Sequence, residues 1–331
     1  MSEPNKNGGV IGAALLAGVL AGMLALHFLQ QRRIDREIPP GYRYTEKNDD
    51  APVKTAPYVL LAENTYSDVS LARVSIVDER VLAICGGRDI FIEEKPVAPG
   101  RHIFLTFTPN DVAGYRDNGE MKLLAISQTE LYAGNEEKFR KIWAAEKGQA
   151  FFKSLATDGH LVFIADAGEK LIHILTVEGK YVRAIGAKNA EKNIPGLILP
   201  SPYMDVALAK DGLLRVTNCG RHRVESYTVE GDLEHWWGKP SARAEDFCGC
   251  CNPIAIALLP DGGYVTAEKG KPRVKLYDSD GNFSGVLVQE KDFSPGDKPD
   301  VAVDADGKIY VLFPTQNRIA VYGKITDAKS E

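Results

Sequence analysis

Met204-Asp205-Val206-Ala207-Leu208-Ala209-Lys210-Asp211-Gly212 is matched in character by Ile254-Ala255-Ile256-Ala257-Leu258-Leu259-Pro260-Asp261-Gly262. Asp300-Val301-Ala302-Val303-Asp304-Ala305-Asp306-Gly307 repeats the pattern again. Eleven residues after each closing glycine stands an arginine followed by a β-branched residue: Arg223-Val224, Arg273-Val274 and Arg318-Ile319. Eight residues beyond the first two arginines come Gly231 and Gly281. A fainter copy runs from Phe152 through Asp158-Gly159 to Glu178-Gly179, with Leu171 at the arginine position. Self-similarity at a spacing of about 45 to 53 residues marks a repeat architecture, in which one supersecondary unit is used several times.

Each unit reads as strand, Asp-Gly hairpin, strand, loop, strand, glycine hairpin, strand. The Asp-Gly pairs suggest two-residue hairpins with positive φ at both central positions. A four-stranded unit of this period is a propeller blade, repeated radially so that strand edges stay short. Degenerate blades are expected from Leu71 to about Leu105 and from Lys122 to about Lys147. The last unit shows three strands ending near Ile325, and Tyr58 to Glu63 can supply its fourth. The expectation is an all-β, six-bladed propeller over residues 58–331.

The order of a Val or Ile followed by Ala, then Asp-Gly, then Arg with Val or Ile, then Tyr and Gly, resembles the NHL repeat. The resemblance covers residues 151–324 and is poor over 58–150. It implies an NHL-type β-propeller and no particular activity, since fold does not determine function.

Composition removes several alternatives. With 40 Lys and Arg against 45 Asp and Glu, the formal charge is -5, which gives no basic face for nucleic acid. Val10 to Leu29 is a run without charge, long enough to cross a bilayer as a helix. It ends in Leu26-His27-Phe28-Leu29-Gln30, a poor cleavage site, so it reads as an uncleaved single-pass membrane anchor preceded by a tail at 1–9. Residues 30–57, with Pro39-Pro40 and Asp49-Asp50, read as a tether. Arg32, Arg33 and Arg36 follow the span while Lys6 precedes it, which by charge alone places the propeller in the cytoplasm. The habit of single N-terminal spans is the reverse, and the reading leans to an extracytoplasmic domain at the cell membrane.

Three of five cysteines fall in Phe247-Cys248-Gly249-Cys250-Cys251-Asn252-Pro253. In a propeller numbered from the axis outward, the 2–3 loops and the 4–1 connections share a face. Cys219 falls in a 2–3 loop and Cys248, Cys250 and Cys251 in the next 4–1 connection, while alignment puts Cys85 in another 2–3 loop. Three chemistries stay open. The thiols can be inert or joined as loop disulfides. Cys219, Cys248, Cys250 and Cys251 can form a four-thiolate site for zinc or an iron–sulfur cluster. An accessible pair can exchange disulfides, helped by Arg221 and His222. The cysteine-bearing segment within a blade resembles a subgroup of bacterial membrane-associated NHL proteins.

Other candidates are weaker. His102, His173, His222 and His235 share no repeat position, against a histidine-held metal of the kind found in propeller lyases. Arg223, Arg273 and Arg318 recur, which suits a structural role. Trp236-Trp237 reads as core and Glu268-Lys269 as a solvated salt pair. No catalytic set is legible. The reading is a membrane-tethered binding or scaffold propeller that meets a protein partner or small ligand on one face. Its cysteine face is a candidate metal or redox centre, accessory to a membrane electron-transfer assembly. A propeller hydrolase or lyase is the alternative.

Overall fold

Successive alternating runs fold back on their neighbours, and in a computed structural model they make six antiparallel four-stranded sheets among the described residues. These are residues 53–67, 69–79, 81–94, 100–146 and 148–325. The expected tail, the membrane segment 10–29 and the tether up to residue 52 lie outside them. No helix among the described residues is long and apolar enough to cross a membrane.

Strand β1 (Tyr58–Thr65) comes first among the described residues but belongs to the last blade. Blade 1 contains β2 (Leu71–Asp78), β3 (Val81–Gly86), β4 (Asp89–Glu94) and β5 (Arg101–Phe104), and blade 2 contains β6 (Asp111–Asp117), β7 (Glu120–Ile126), β8 (Glu130–Gly134) and β9 (Phe139–Ala144). Blade 3 has β10 (Phe152–Thr157), β11 (Leu161–Asp166), β12 (Leu171–Thr176) and β13 (Tyr181–Ile185). Blade 4 has β14 (Val206–Leu208), β15 (Leu214–Asn218), β16 (Arg223–Tyr227) and β17 (Leu233–Trp237). Blade 5 has β18 (Ala255–Leu258), β19 (Tyr264–Glu268), β20 (Arg273–Tyr277) and β21 (Phe283–Val288). Blade 6 runs β22 (Asp300–Val303), β23 (Ile309–Phe313), β24 (Arg318–Lys324), and then β1 as its outermost strand.

The inner strands β2, β6, β10, β14, β18 and β22 touch in succession, and β22 meets β2 to complete the ring. Antiparallel pairing of β1 with β24, from Tyr58 opposite Lys324 to Thr65 opposite Arg318, closes it. Arg318 reinforces that seam through Glu63 at 2.8 Å.

The apolar core is a set of six layers, one at each junction between blades. Phe163, Ile172 and Ile174 of blade 3 pack on Val206, Leu214 and Tyr227 of blade 4. At the next junction Val224 and Trp237 pack on Ile256, Tyr264 and Tyr277. Second strands lie between two such layers, so β15, β19 and β23 are buried at every residue and lose the polar–apolar alternation of a half-exposed strand.

Three local expectations need correction. Blade 2 begins at Asp111, well before Lys122, because the hairpin Asn118-Gly119 joins β6 to β7 with φ of 49° and 84°. That is a true two-residue turn with both central residues left-handed. The Asp-Gly turns of the repeat are different. Gly212 has φ of 82° and Asp211 does not share it. Gly212 N–H donates to Ala209, Ala209 N–H donates to Leu213, and the Asp211 carboxylate accepts the Leu213 N–H at 2.9 Å. The aspartate therefore serves as a side-chain acceptor inside a longer turn. Finally, Trp237 is core but Trp236 is half exposed, with the Arg223 guanidinium 4.5 Å from its ring centre.

Candidate functional site

The connection from β17 to β18 is held from both sides. Asn252 is buried, and its Nδ2 donates to the Cys248 carbonyl at 2.6 Å and the Lys269 carbonyl at 3.0 Å. Its Oδ1 accepts the Lys269 N–H at 2.9 Å, and its own N–H donates to Cys219 O at 3.2 Å. The His222 Nε2 lies 2.6 Å from Gly249 O, so it carries the ring proton and donates it there. The loop is thereby fastened to the 2–3 loops of blades 4 and 5, and Asn252 is its main clamp.

These fastenings bring Cys219, Cys250 and Cys251 together. The Cys250 and Cys251 sulfurs are 3.3 Å apart, a contact well beyond the ~2.05 Å of a disulfide. Cys250 is exposed, whereas Cys219 and Cys251 are buried in the layer between blades 3 and 4. Burial, reinforced by the neighbouring Cys251, pushes the Cys219 thiol up to about 12. Burial also raises Cys251, with the nearby Ser201 hydroxyl opposing the rise.

Cys248 is turned elsewhere. Its sulfur is 3.3 Å from Arg273 Nη2, in a buried niche with Glu268 and Lys275. Glu268 is fully buried, pairs with Arg273 at 2.8 Å and Lys275 at 3.3 Å, and accepts the Cys248 N–H at 3.2 Å. Desolvation lowers Lys275 to about 8. The solvated Glu268–Lys269 pair expected from sequence is thus not formed: Glu268 points in among other cations, and Lys269 points away. Cys85 is not in a loop either. It lies on β3 opposite Ile90, in the layer between blades 1 and 2, where burial raises its thiol well above the ordinary range. The four sulfurs proposed as zinc or cluster ligands are therefore divided three and one. Among the described residues no group of three or more His, Cys, Asp or Glu side chains is disposed to hold a metal ion.

A second polar centre lies on the axis, and the sequence reading passed over it. Arg73, Asp111, Ser154, Ala255 and Asp300 on five inner strands, and Asp205 just before the sixth, occupy one equivalent position, each opposite a second-strand residue. The Arg73 guanidinium reaches Asp300 at 2.9 Å, Asp205 at 2.5 Å, Asp111 at 3.3 Å and Ser154 at 3.1 Å. Each carboxylate also accepts a backbone N–H from the following blade: Asp111 from Leu155, Asp205 from Ile256 and Asp300 from Val74. This ring ties alternate blades to their neighbours and stands at one end of an axial cavity of about 290 Å³. The signal was available, since Asp205 and Asp300 hold the same place in two of the repeats that define the fold.

The histidines are dispersed. His102 meets Asp89, His173 meets Asp166 at 3.0 Å, and His235 meets Ser226 at 2.9 Å, each within its own blade.

The fold has wide company and the sequence has little. The chain is similar to the WD40 β-propeller domain of Doa1, with TM-score 0.54 and 12% identity over 83% of this chain and 100% of that one. It is similar to virginiamycin B lyase from Staphylococcus aureus, with TM-score 0.54 and 12% identity over 81% and 100%. A Bacteroides thetaiotaomicron protein of unknown function gives TM-score 0.56 and 11% identity over 82% and 73%. At these identities the likeness extends to the fold alone. No protein-family model matches the chain, and no curated protein matches it.

Proposed function

We propose that this chain is a non-enzymatic binding propeller, of NHL type, that works from the face carrying its 4–1 connections and 2–3 loops. On that face Cys250 and Cys251 form a thiol pair for exchange with a partner. The observation that carries this reading is the placement of an exposed Cys250 sulfur 3.3 Å from that of Cys251, in a loop clamped by Asn252 and His222. In the exchange, the two thiols lose two protons and two electrons to a partner disulfide, which is released as two thiols. The chain's run from Val10 to Leu29 supports tethering at a membrane, and with it a role as accessory to a membrane electron-transfer assembly.

The test is oxidation of the purified protein with an excess of oxidised glutathione, followed by peptide mass analysis. A loss of two mass units in the peptide carrying Cys250 and Cys251, absent in Cys250→Ser, is the expected result. Five free thiols surviving the oxidant would refute it, and stoichiometric zinc or iron with sulfide in the purified protein would replace it with the metal reading.

A further inference from the structure

The two ends of the propeller axis differ in charge. Between the 1–2 turns a pocket is lined by Glu79, Asp211, Asp261 and Asp304 alongside Lys210 and Arg215. At the opposite end, on the face of the cysteine loop, three lysines gather around one ring. The Nζ of Lys269 is 5.0 Å from the centre of Tyr203, that of Lys298 is 5.9 Å and that of Lys153 is 6.0 Å, the last lying between Tyr203 and Phe151, whose centre is 5.1 Å away. They come from three separate blades or connections: Lys153 from β10, Lys269 from the 2–3 loop of blade 5, and Lys298 from the connection into blade 6. Tyr203 lies in the connection from blade 3 to blade 4. Lys153, Tyr203 and Lys298 each stand within two residues of a member of the axial ring, so this group sits over Arg73.

None of the three ammonium groups makes an ion pair or hydrogen bond among the described residues. The nearby acids are otherwise engaged. Asp111, Asp205 and Asp300 share Arg73 and take backbone N–H groups, and Asp297 accepts from Ser294 and from Thr315 through both its N–H and its hydroxyl. Glu268 is held by Arg273 and Lys275. Through-space attraction to the axial carboxylates accounts for part of the placement of Lys153. Arg73 and Lys298 oppose it, and with burial as the largest cause its pKa is lowered. Four cations, Arg73 and the three lysines, stand near three axial carboxylates, one of which, Asp300, is raised to about 7, and near Asp297, which is bonded only to neutral donors. Three ammonium groups are thus crowded around a half-buried aromatic ring without a direct ion pair to any of these acids among the described residues.

We infer that the mouth of the axis on this face is a binding site for a small multivalent oxyanion, of the phosphate or polycarboxylate class, taken up by Lys153, Lys269 and Lys298 over Tyr203. This goes beyond the thiol reading and does not depend on it, because none of its groups is a cysteine. Charge-assisted hydrogen bonds from three ammonium groups suit two or more anionic oxygens. A lysine ammonium binds as a flexible point charge and so does not by itself choose between phosphate and carboxylate.

Calorimetric titration of the intact protein at low ionic strength, once with inorganic phosphate and once with citrate, tests the inference. Saturable binding of either probe is expected, weakened about tenfold by Lys153→Met, Lys269→Met or Lys298→Met. Lys141→Gln, on the outer strand of blade 2, should leave it unchanged. The arm that saturates at lower concentration identifies the class. Lys298 is exposed, so its substitution keeps the test valid if the two more buried variants fail to fold, and matched thermal melts verify this. Absence of saturation in both arms, or equal weakening by Lys141→Gln, overturns the inference.

Discussion

Arg73 on the inner strand of blade 1 lies 2.5 Å from Asp205, which enters blade 4 on the opposite side of the ring. One side chain therefore spans the axis and binds carboxylates from blades 2, 4 and 6. Breaking a buried ion network by removing one partner typically costs about 3–5 kcal/mol, because the remaining charge stays desolvated. Arg73→Met leaves three facing carboxylates without their counter-ion. It should lower unfolding stability by about that amount in urea titration. A change below about 1 kcal/mol would mean that backbone donors alone sustain the ring.

Asp300 gives the stability a pH dependence of known sign. Burial is the largest cause of its rise to about 7 from an ordinary 3.8, with Asp205 and Asp111 adding to it and Arg73 and the Val74 N–H opposing. An acid raised on folding contributes stability below its unfolded pKa and loses it as pH climbs through the folded value. Stability should fall between about pH 4 and 7 on this account. Asp300→Asn should make that fall shallower without abolishing it, because Asp111 is raised as well. Denaturant midpoints at half-unit pH steps for both proteins provide the check, and parallel profiles would contradict the assignment.

Two glycines at turns separate backbone strain from crowding. Gly212 has φ of 82° with open space where a Cβ would go, while at Gly281, with φ of 80°, a Cβ would fall 2.4 Å from the Trp237 ring. Gly212→Ala should cost about 1 kcal/mol for the left-handed backbone. Gly281→Ala adds an overpacking cost of about 1–3 kcal/mol where blade 5 meets blade 4. Thermal or urea unfolding of the two variants should rank them in that order.

Thiol accessibility should follow burial. Reaction with an aromatic disulfide reagent is expected to modify Cys250 first, since the other four cysteines are buried. Cys250→Ser should remove that fast phase. Cys219, pushed up to about 12, should stay unreactive even at pH 9, and Cys85 should react only as the propeller unfolds. Rates for Cys219, Cys248 and Cys251 equal to that of Cys250 would contradict the clamped loop.

The repeat and its seam were legible because each blade reuses one pattern of turn and alternation, down to the split sixth blade completed by β1. Blade 2 was harder. Its inner strand opens Asp111-Val112-Ala113, the same Asp-Val-Ala as in blades 4 and 6, but the hairpin that follows is Asn118-Gly119 where those blades have Asp-Gly. For the cysteines, topology could place Cys219 beside the 248–251 connection, but side-chain direction depends on what lies underneath. Arg273 and Glu268 draw Cys248 to one side, and neither residue's orientation follows from a strand pattern. The axial ring needed the opposite step, reading down one repeat position across all six blades, where Arg, Asp and Ser are as unlike as residues can be.

Pairing of β1 with β24 also sets a schedule for biosynthesis. Glu63 and Arg318 are 255 residues apart in the chain. At about 5–20 residues per second, a ribosome needs roughly ten to fifty seconds to pass from one to the other. Throughout that interval β1, the first strand among the described residues, lacks the strand it pairs with, and its Val59, Leu60 and Leu61 stay about half exposed even after closure. Emergence of β24 therefore decides when the ring can close, and until then β1 waits as an unpaired edge.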